Sequence, residues 1–380
     1  MSDEPIAAPI PEPLTGLWTA CETLLLAFDE TLDRLDPPGL PADVERLKPL
    51  IEALATAIET AEDGPGAPGA KALDEAGKTL LRGTGQVLQA ARRFEVAGDG
   101  SNHAIMRAFQ ALRPLSRARE ILFGLAHTYV PVSRYFLDPR VRTQDDLAGR
   151  LVSAGQRNTR ENATPPRGLI HYENAYGKRG GYSLFIPEEY TPERKWPLVV
   201  ALHGGSGHGS DFLWSWLPAA RAFGCIVAAC TSRARTWSLQ NPKLDAANLN
   251  HMLAGVSGKY NIDHDRILLT GISDGGTFSC VLSVVHQVPF THYAPVAAAV
   301  HVMVNQQGQV QAPVAGKRYY IVHGGRDWMF PVEAERRTAE AMRTAGADVT
   351  YREIDDLSHN YPADENARII EWFSPGLTKS

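Results

Sequence analysis

Three short segments of the chain carry side chains suited to nucleophilic catalysis. Ser273 lies in the segment TGISDGGTF, Asp327 closes the fragment HGGRD, and His359 lies in DDLSHNYP. A serine hydroxyl is a weak nucleophile until a base within hydrogen-bond reach takes its proton and a third group orients that base. We therefore interpret Ser273 as a nucleophile, His359 as its general base and Asp327 as the acceptor that orients the imidazole.

The glycines around Ser273 indicate a sharp turn between a strand and a helix. An apolar run at residues 267–269 stops at this turn, and small and apolar residues then resume at helical spacing. Gly271 and Gly275 are expected because a Cβ at either position would collide with the neighbouring strand or helix. The turn is predicted to hold the serine hydroxyl out above a sheet.

Other carboxylates and histidines compete for the two supporting roles. Asp355 and Asp356 are nearer to His359 along the chain. A carboxylate that close rarely points at the far ring nitrogen, whereas Asp327 follows a neighbouring strand and is favoured. Two further histidines precede glycines at strand ends and are expected to shape those loops: His203 and His323.

Backbone N–H groups are expected to stabilise a developing oxyanion. The N–H of Asp274 directly follows the nucleophile, and that of Gly205 belongs to the glycine-rich loop HGGSGHG. The carboxylate of Asp274 would oppose such an anion unless it points away or is paired. Arg233 or Arg235 is suggested as that partner.

Several aromatic residues are expected in loops around these residues, where each is as consistent with packing as with recognition. Those proposed to bind substrate are Trp214, Trp237, Trp328 and Tyr361, with Trp216 beside them.

The elements that must position these residues fill the second half of the chain. Two antiparallel strands are predicted at 169–176 and 182–186, a buried strand at 198–202, and further strands near Ile226, Leu268, Ala298, Ile321 and Tyr351. Helical patterns at 244–260, 277–287 and 332–345 lie between them. This alternation predicts an α/β fold with a mostly parallel sheet and helices on both faces, whose strand ends carry the chemistry.

The first half of the chain has a different pattern. Apolar residues at helical spacing predict helices at about 14–35, 42–61, 70–96 and 101–128, with a kink at Pro114 and further helix at 144–154. We expect an all-α bundle at 1–165, with a disordered start and a Pro-rich linker at its end, and a catalytic domain at 166–380. The bundle could serve as a lid or wall over the active site, or as a surface for self-association.

Composition narrows the class of protein. The chain has 380 residues, a formal net charge of -5 and no basic block, so a nucleic-acid partner is not expected. No apolar run suits a membrane span, and the proline-broken start lacks the pattern of a secretory signal, so a cytoplasmic location is expected. The four cysteines show no C-x-x-C spacing, so reduced buried thiols are expected. The helical half has no His-x-x-x-His or Glu-x-x-His pair, so no metal is expected there. The chain has no Walker pattern and no Gly-x-Gly-x-x-Gly turn between a strand and a helix, so no nucleotide cofactor is expected.

The segments LHGGSGHGSDF, TGISDGGTFS, HGGRDWMFP and SHNYP resemble those of α/β-hydrolases. Within that superfamily they are similar to the esterase branch that includes polyhydroxybutyrate depolymerase-like and feruloyl esterase-like proteins, and to the phospholipase/carboxylesterase group. The resemblance covers roughly 169–373 and does not extend to the helical half.

The resemblance implies a carboxylesterase-type serine hydrolase that forms an acyl-enzyme on Ser273 and acts on a small-molecule or oligomeric ester. Two alternatives stay open. One is a serine peptidase of the prolyl-oligopeptidase type, although the first half is helical and not a repeating β-propeller. The other is a binding protein that keeps a hydrolase fold without turnover.

Overall fold

The computed structural model describes residues 9–63, 73–99, 104–285, 288–305, 307–310 and 312–379. The chain divides into two compact units between Asn162 and Ala163. The first eight residues of the predicted disordered start lie outside the described residues, as do the predicted helix ends at Ala70, Ser101 and Gln287.

The described part of the first unit is helical, as the apolar spacing predicts. Its helices are α1 (Glu12–Asp33), α2 (Leu40–Asp63), α3 (Glu75–Ala97), α4 (Ala104–Phe123), α5 (Val130–Tyr135) and α6 (Asp145–Arg160). The short helix α5 is additional to the prediction. Pro114 lies inside α4, and the predicted kink there stays a prediction.

Helix α1 shows why this unit folds as a bundle. Its predicted apolar stripe is buried at Leu17, Cys21, Leu24 and Phe28, while Leu32 is half-buried. A stripe at three- and four-residue steps can be removed from water only against other helices, and α1 packs against α2 and α3.

The second unit is built on one eight-stranded sheet. Its strands are β1 (Gly168–Tyr172), β2 (Tyr182–Ile186), β3 (Trp196–Leu202), β4 (Ile226–Cys230), β5 (Ile262–Ile272), β6 (His292–Val296), β7 (Arg318–Gly324) and β8 (Asp348–Ile354). Their order across the sheet is β1-β2-β4-β3-β5-β6-β7-β8.

Strand β2 is antiparallel to both of its neighbours, and every other pairing in the sheet is parallel. Strands β3 and β4 are buried at every position, so both faces of the central sheet are covered. The predicted fold class, a mostly parallel α/β-hydrolase sheet preceded by a helical part, is confirmed.

Two strands end before their predicted positions. The strand predicted near Ala298 lies at His292–Val296, because Ala297 takes a positive φ of 43° and the chain continues into the 3-10 turn Val300–Met303. Strand β1 stops at Tyr172 and not at residue 176, since Glu173 also has a positive φ, of 47°. The residues released from β1 form a loop over the edge of the sheet that carries the site.

Helices cover the sheet. They are α7 (Gly209–Phe223), α8 (Lys243–Ser257), α9 (Asp274–Val285), α10 (Val332–Thr344) and α11 (Asn366–Phe373). The sequence interpretation missed α7 and placed Trp214 and Trp216 in a loop, because Pro218 interrupts an otherwise helical apolar period. Both tryptophans are buried on this helix.

The four cysteines are free thiols and all are buried. Within the described residues, no helix combines the length and the apolar character needed to cross a bilayer.

Candidate active site

Ser273 occupies the turn that joins β5 to α9. Its φ is +53°, in the left-handed region that non-glycine residues rarely adopt, and its N–H donates to the Val296 carbonyl oxygen at 2.9 Å. A β-carbon on Gly271 would come 2.7 Å from the Leu202 carbonyl oxygen, and one on Gly275 would come 2.5 Å from the same oxygen. Strand β3 approaches the turn so closely that both positions require glycine, as predicted.

The structure brings Ser273, His359 and Asp327 together from three strand ends. The Nε2 atom of His359 lies 3.0 Å from Ser273 Oγ. The Nδ1 atom of the same ring lies 2.9 Å from Oδ2 of Asp327 and 3.1 Å from its Oδ1. Both Ser273 and His359 are 9% exposed, so the serine–histidine contact is shielded but open at one side.

The carboxylate of Asp327 is held in its ionised form. Burial alone would raise the pKa of Asp327, but the hydrogen bonds from His359 and from the N–H groups of Phe330 and Met329 lower that pKa below its usual value. Those two N–H groups donate to Oδ1 at 2.9 and 2.8 Å. Because an ionised carboxylate only accepts, Nδ1 of His359 carries the proton and Nε2 is left to accept from Ser273.

Two aromatic rings, one half-buried and one exposed, contact His359. The ring of Phe330 meets its imidazole edge-on at 5.3 Å, and the ring of Trp328 does so at 5.8 Å. Trp328 is 53% exposed. The carbonyl oxygen of Phe330 accepts a hydrogen bond from Nε2 of the buried His323 at 3.0 Å. His323 therefore anchors the turn after β7, the loop-shaping role predicted for it.

His203 shapes the glycine-rich loop after β3. Its Nδ1 donates to the Gly204 carbonyl at 2.6 Å, and its Nε2 accepts from the N–H of Ser232 at 3.1 Å. Burial lowers the pKa of His203 to about 3, with further lowering by the charge of Arg179. This imidazole is neutral, and both of its nitrogens are engaged by the scaffold.

Arg179, on the loop between β1 and β2, ties two other loops together. Its Nη1 donates to the Gly207 carbonyl at 2.6 Å and its Nε to the Ser232 carbonyl at 3.0 Å. A further bond runs from Nη2 to the Ala234 carbonyl. A planar guanidinium with several donors can span separate carbonyls in this way, so one side chain fixes the loops that follow β3 and β4.

The two predicted oxyanion donors lie beside the nucleophile. Ser273 is followed by Asp274 at the start of α9, and a β-carbon on Gly205 would come 2.8 Å from Oδ2 of Asp274, so the two residues are neighbours. Among the described residues, no protein acceptor takes the N–H of Gly205 or that of Asp274. Both groups are thus free to bind an anionic oxygen.

The suggested arginine partner of Asp274 is wrong. Oδ2 of Asp274 accepts from the hydroxyl of Thr236, and neither of the two arginines lies within ion-pair distance of it. The guanidinium of Arg235 donates instead to Ser206 Oγ at 3.0 Å, and the side chain of Arg233 is exposed. The path of the loop after β4 brings Thr236, and not an arginine, to the carboxylate.

The four aromatic residues proposed to bind substrate occupy different environments. Trp237 is buried, donates from Nε1 to the His203 carbonyl at 2.8 Å and stacks on Phe278, so it supports the glycine-rich loop from below. Trp214 is buried on α7. Tyr361 is buried against Phe212. Trp328 alone among the four is largely exposed and contacts a member of the Ser-His-Asp group.

Sequence reasoning missed Arg179 and Thr236. A signal was present for Thr236, since it lies in the segment SRARTW at a predicted strand end. Arg179 gave none, because it lies between the two predicted antiparallel strands and is 53 residues from Ser232. In the described part of the chain, no three His, Cys, Asp or Glu side chains gather in a way that could hold a metal ion.

No protein-family model matches the chain, and no curated protein matches it. Several solved structures are similar to part of the chain. One described as a thermostable esterase is 24% identical over 54% of this chain, with a TM-score of 0.39, and only 61% of that esterase is covered. The apo form of Thermogutta terrifontis esterase 2 is 15% identical, with 56% of this chain and 94% of that one covered and a TM-score of 0.44.

The propionate-bound form of that Thermogutta terrifontis esterase gives a similar result, at 16% identity and a TM-score of 0.43, with 55% of this chain and 93% of that one covered. The α/β-hydrolase assignment of the second unit rests on its own strand order and on the strained serine at the end of β5.

Proposed function

We propose that this protein is a serine carboxylic ester hydrolase that acts through an acyl-enzyme on Ser273. The observation that carries the proposal is the hydrogen-bonded series from Asp327 through His359 to Ser273, at 2.9 and 3.0 Å, with the serine on a turn of positive φ. These are the distances at which a base takes a proton from a nucleophile.

The geometry supports a two-step reaction. Ser273 Oγ attacks the ester carbonyl while its proton passes to Nε2 of His359, and Asp327 stabilises the imidazolium that forms. The carbonyl oxygen becomes an anion within reach of the N–H groups of Gly205 and Asp274, and collapse expels the alcohol, which takes the proton from His359. Water, activated by the same imidazole, then releases the acid and restores the serine.

An apolar rim supports a short ester with an uncharged alcohol portion. Trp328 and Met329 directly follow Asp327 and are 53% and 46% exposed. Because Trp328 also contacts the ring of His359, this rim lies beside the general base, where the leaving alcohol departs.

The test is hydrolysis of p-nitrophenyl acetate and butyrate by the full chain and by Ser273→Ala. We expect the variant to lose turnover by a factor of about 1,000 or more, since the nucleophile is gone, with an unchanged melting temperature. Ser257→Ala, at the end of α8, is the matched control and should keep full activity. A fluorophosphonate probe should label the wild type at Ser273; turnover retained by Ser273→Ala would refute the assignment.

The two alternatives make different predictions in the same experiment. A peptidase would cleave peptide substrates in preference to esters, but the described part of the first unit consists of helices and supplies no propeller to select peptides. A binding protein without turnover would fold normally and never label at Ser273. Nothing in the site geometry favours either over ester hydrolysis.

A further inference from the structure

The carboxylate of Asp274 lies next to the two proposed oxyanion donors. It is half-buried, and its Oδ2 lies 2.8 Å from the position that a β-carbon on Gly205 would take. A negative charge at this place raises the energy of an oxyanion formed beside it, because like charges at short distance repel each other. For a neutral ester the residue therefore works against the reaction.

No cation of the protein neutralises this charge in the described part of the chain. The only hydrogen bond to the carboxylate comes from the hydroxyl of Thr236, which is uncharged. Two arginines of the neighbouring loops have other partners: Arg235 donates to Ser206, and the guanidinium of Arg179 donates to backbone carbonyls of two loops. One carboxylate oxygen, Oδ1, has no donor among the described residues.

From this geometry we infer that Asp274 is a specificity-determining residue that favours substrates with an ammonium or hydroxyl donor next to the scissile carbonyl. Such a group would lie beside the carboxylate when the carbonyl oxygen points at the N–H groups of Gly205 and Asp274. Either group would supply the missing donor, and an ammonium would also cancel the charge that opposes the oxyanion. The inference rests on the proposed ester hydrolysis and assigns it a substrate class, α-amino and α-hydroxy acid esters.

Thr236 has a positioning role in this inference. Its hydroxyl holds Oδ2, which turns the carboxylate toward Gly205 and leaves Oδ1 for a substrate donor. The indole of Trp237, the next residue, is bonded to the His203 carbonyl at 2.8 Å, so the threonine is presented from a fixed loop.

The test uses benzyl esters of three acids of the same shape: isobutyrate, lactate and alanine, which differ only in a methyl, hydroxyl or ammonium group on the α-carbon. At pH 7 the amino group is mostly protonated, since such groups titrate near about 7.7 to 8.0. We expect kcat/KM to rise from isobutyrate to lactate to alanine, by about 10- to 100-fold overall, the range for a hydrogen bond to a charged group.

Asp274→Asn keeps the shape of the side chain and its bond from Thr236 but removes the charge. We expect the alanine-to-isobutyrate ratio to fall at least about tenfold in this variant, with isobutyrate turnover raised. Thr236→Val keeps the charge of Asp274. This variant should still prefer the alanine ester, but with a smaller alanine-to-isobutyrate ratio than the wild type. Asp355→Asn, an exposed acid elsewhere on the unit, is the control and should leave the ratio unchanged.

The outcomes separate the two proposals. Turnover of all three esters with a ratio that Asp274→Asn leaves unchanged would overturn the inference and leave the ester hydrolase standing. Absence of turnover on all three, with no fluorophosphonate labelling of Ser273, would overturn both. Binding gives an independent readout, because 1-aminoethylboronic acid should inhibit the wild type more strongly than isopropylboronic acid, and Asp274→Asn should remove that difference.

Discussion

Replacing Asp327 with asparagine tests the hydrogen-bonded series most directly, because the structure dictates how the amide must lie. Oδ1 accepts from the N–H groups of Met329 and Phe330 at 2.8 and 2.9 Å, so the amide oxygen has to take that place. The amide nitrogen then occupies the position of Oδ2, 2.9 Å from Nδ1 of His359. A donor at this nearer position opposes the Nδ1 proton and favours the tautomer with the ring proton on Nε2, although the amide oxygen stays 3.1 Å from Nδ1.

The wrong tautomer faces the nucleophile with a proton and cannot accept from Ser273 Oγ. In addition, Oδ2 lies 3.5 Å from Nε2 of His323, whose proton points to the Phe330 carbonyl, so the new NH2 group meets a second donor there. We expect kcat to fall about 1,000- to 10,000-fold, or roughly 4 to 5.5 kcal/mol of transition-state stabilisation, with KM nearly unchanged.

The assay is steady-state hydrolysis of p-nitrophenyl acetate from pH 6 to 9, with Asp355→Asn as the matched control. Asp355 is an exposed carboxylate four residues before His359, and its variant should stay within about twofold of the wild type. An Asp327→Asn variant that keeps more than a tenth of wild-type kcat would refute the assignment of Asp327, and a large loss in Asp355→Asn would move the role to that residue.

Two further predictions concern the scaffold. Gly275→Ala places a β-carbon 2.5 and 2.6 Å from the carbonyl oxygens of Leu202 and His203, which are backbone atoms, so the turn must shift. We expect the unfolding free energy, measured by urea titration, to fall by about 1–3 kcal/mol and most of the esterase activity to be lost. Wild-type values for both would contradict the close approach. Burial lowers the pKa of His203 to about 3, so between pH 6.5 and 3 the unfolded chain binds a proton that the folded chain does not, and the unfolding free energy falls as the pH falls. From pH 7.5 to 5 this group should lower the unfolding free energy by about 2 kcal/mol. His203→Gln should be less stable at pH 7.5, but its unfolding free energy should fall by about 2 kcal/mol less over the same interval. An equal fall in both proteins would contradict this account.

The strand-end residues were predictable from the sequence because a parallel sheet gathers the carboxyl ends of its strands at one edge. Ser273, Asp327 and His359 are far apart in the chain, yet each follows a segment predicted to be a strand. The strand before Val300 was placed too late, because Ala297 adopts a positive φ that alanine gives no reason to expect. An apolar run predicts that a strand is present, but a single backbone angle determines the residue at which it ends.

The partner of Asp274 was beyond the sequence for a different reason. The segment from Arg233 to Thr236 offers two cations and one hydroxyl within four residues, and charge alone favours a cation. Which of them reaches the carboxylate depends on the loop path, and that path is set by Arg179 from a loop some 50 residues earlier, through its bonds to Ser232 and Ala234. In such a contact a side chain donates to backbone carbonyls, which every residue has, so the types of the accepting residues do not indicate it in the sequence.

Three histidines at strand ends illustrate how the fold assigns chemistry to one of several identical side chains. His203 has its Nδ1 proton on the Gly204 carbonyl and its Nε2 lone pair on the Ser232 N–H. His323 has its Nε2 proton on the Phe330 carbonyl, where no proton can be accepted. In His359 the carboxylate of Asp327 takes the Nδ1 proton and leaves the Nε2 lone pair for the hydroxyl of Ser273, whereas the Nε2 lone pair of His203 already accepts from a backbone N–H. Since proton transfer needs a vacant lone pair aimed at the donor, a base is identified by the partners of both ring nitrogens and not by exposure or by the neighbouring sequence.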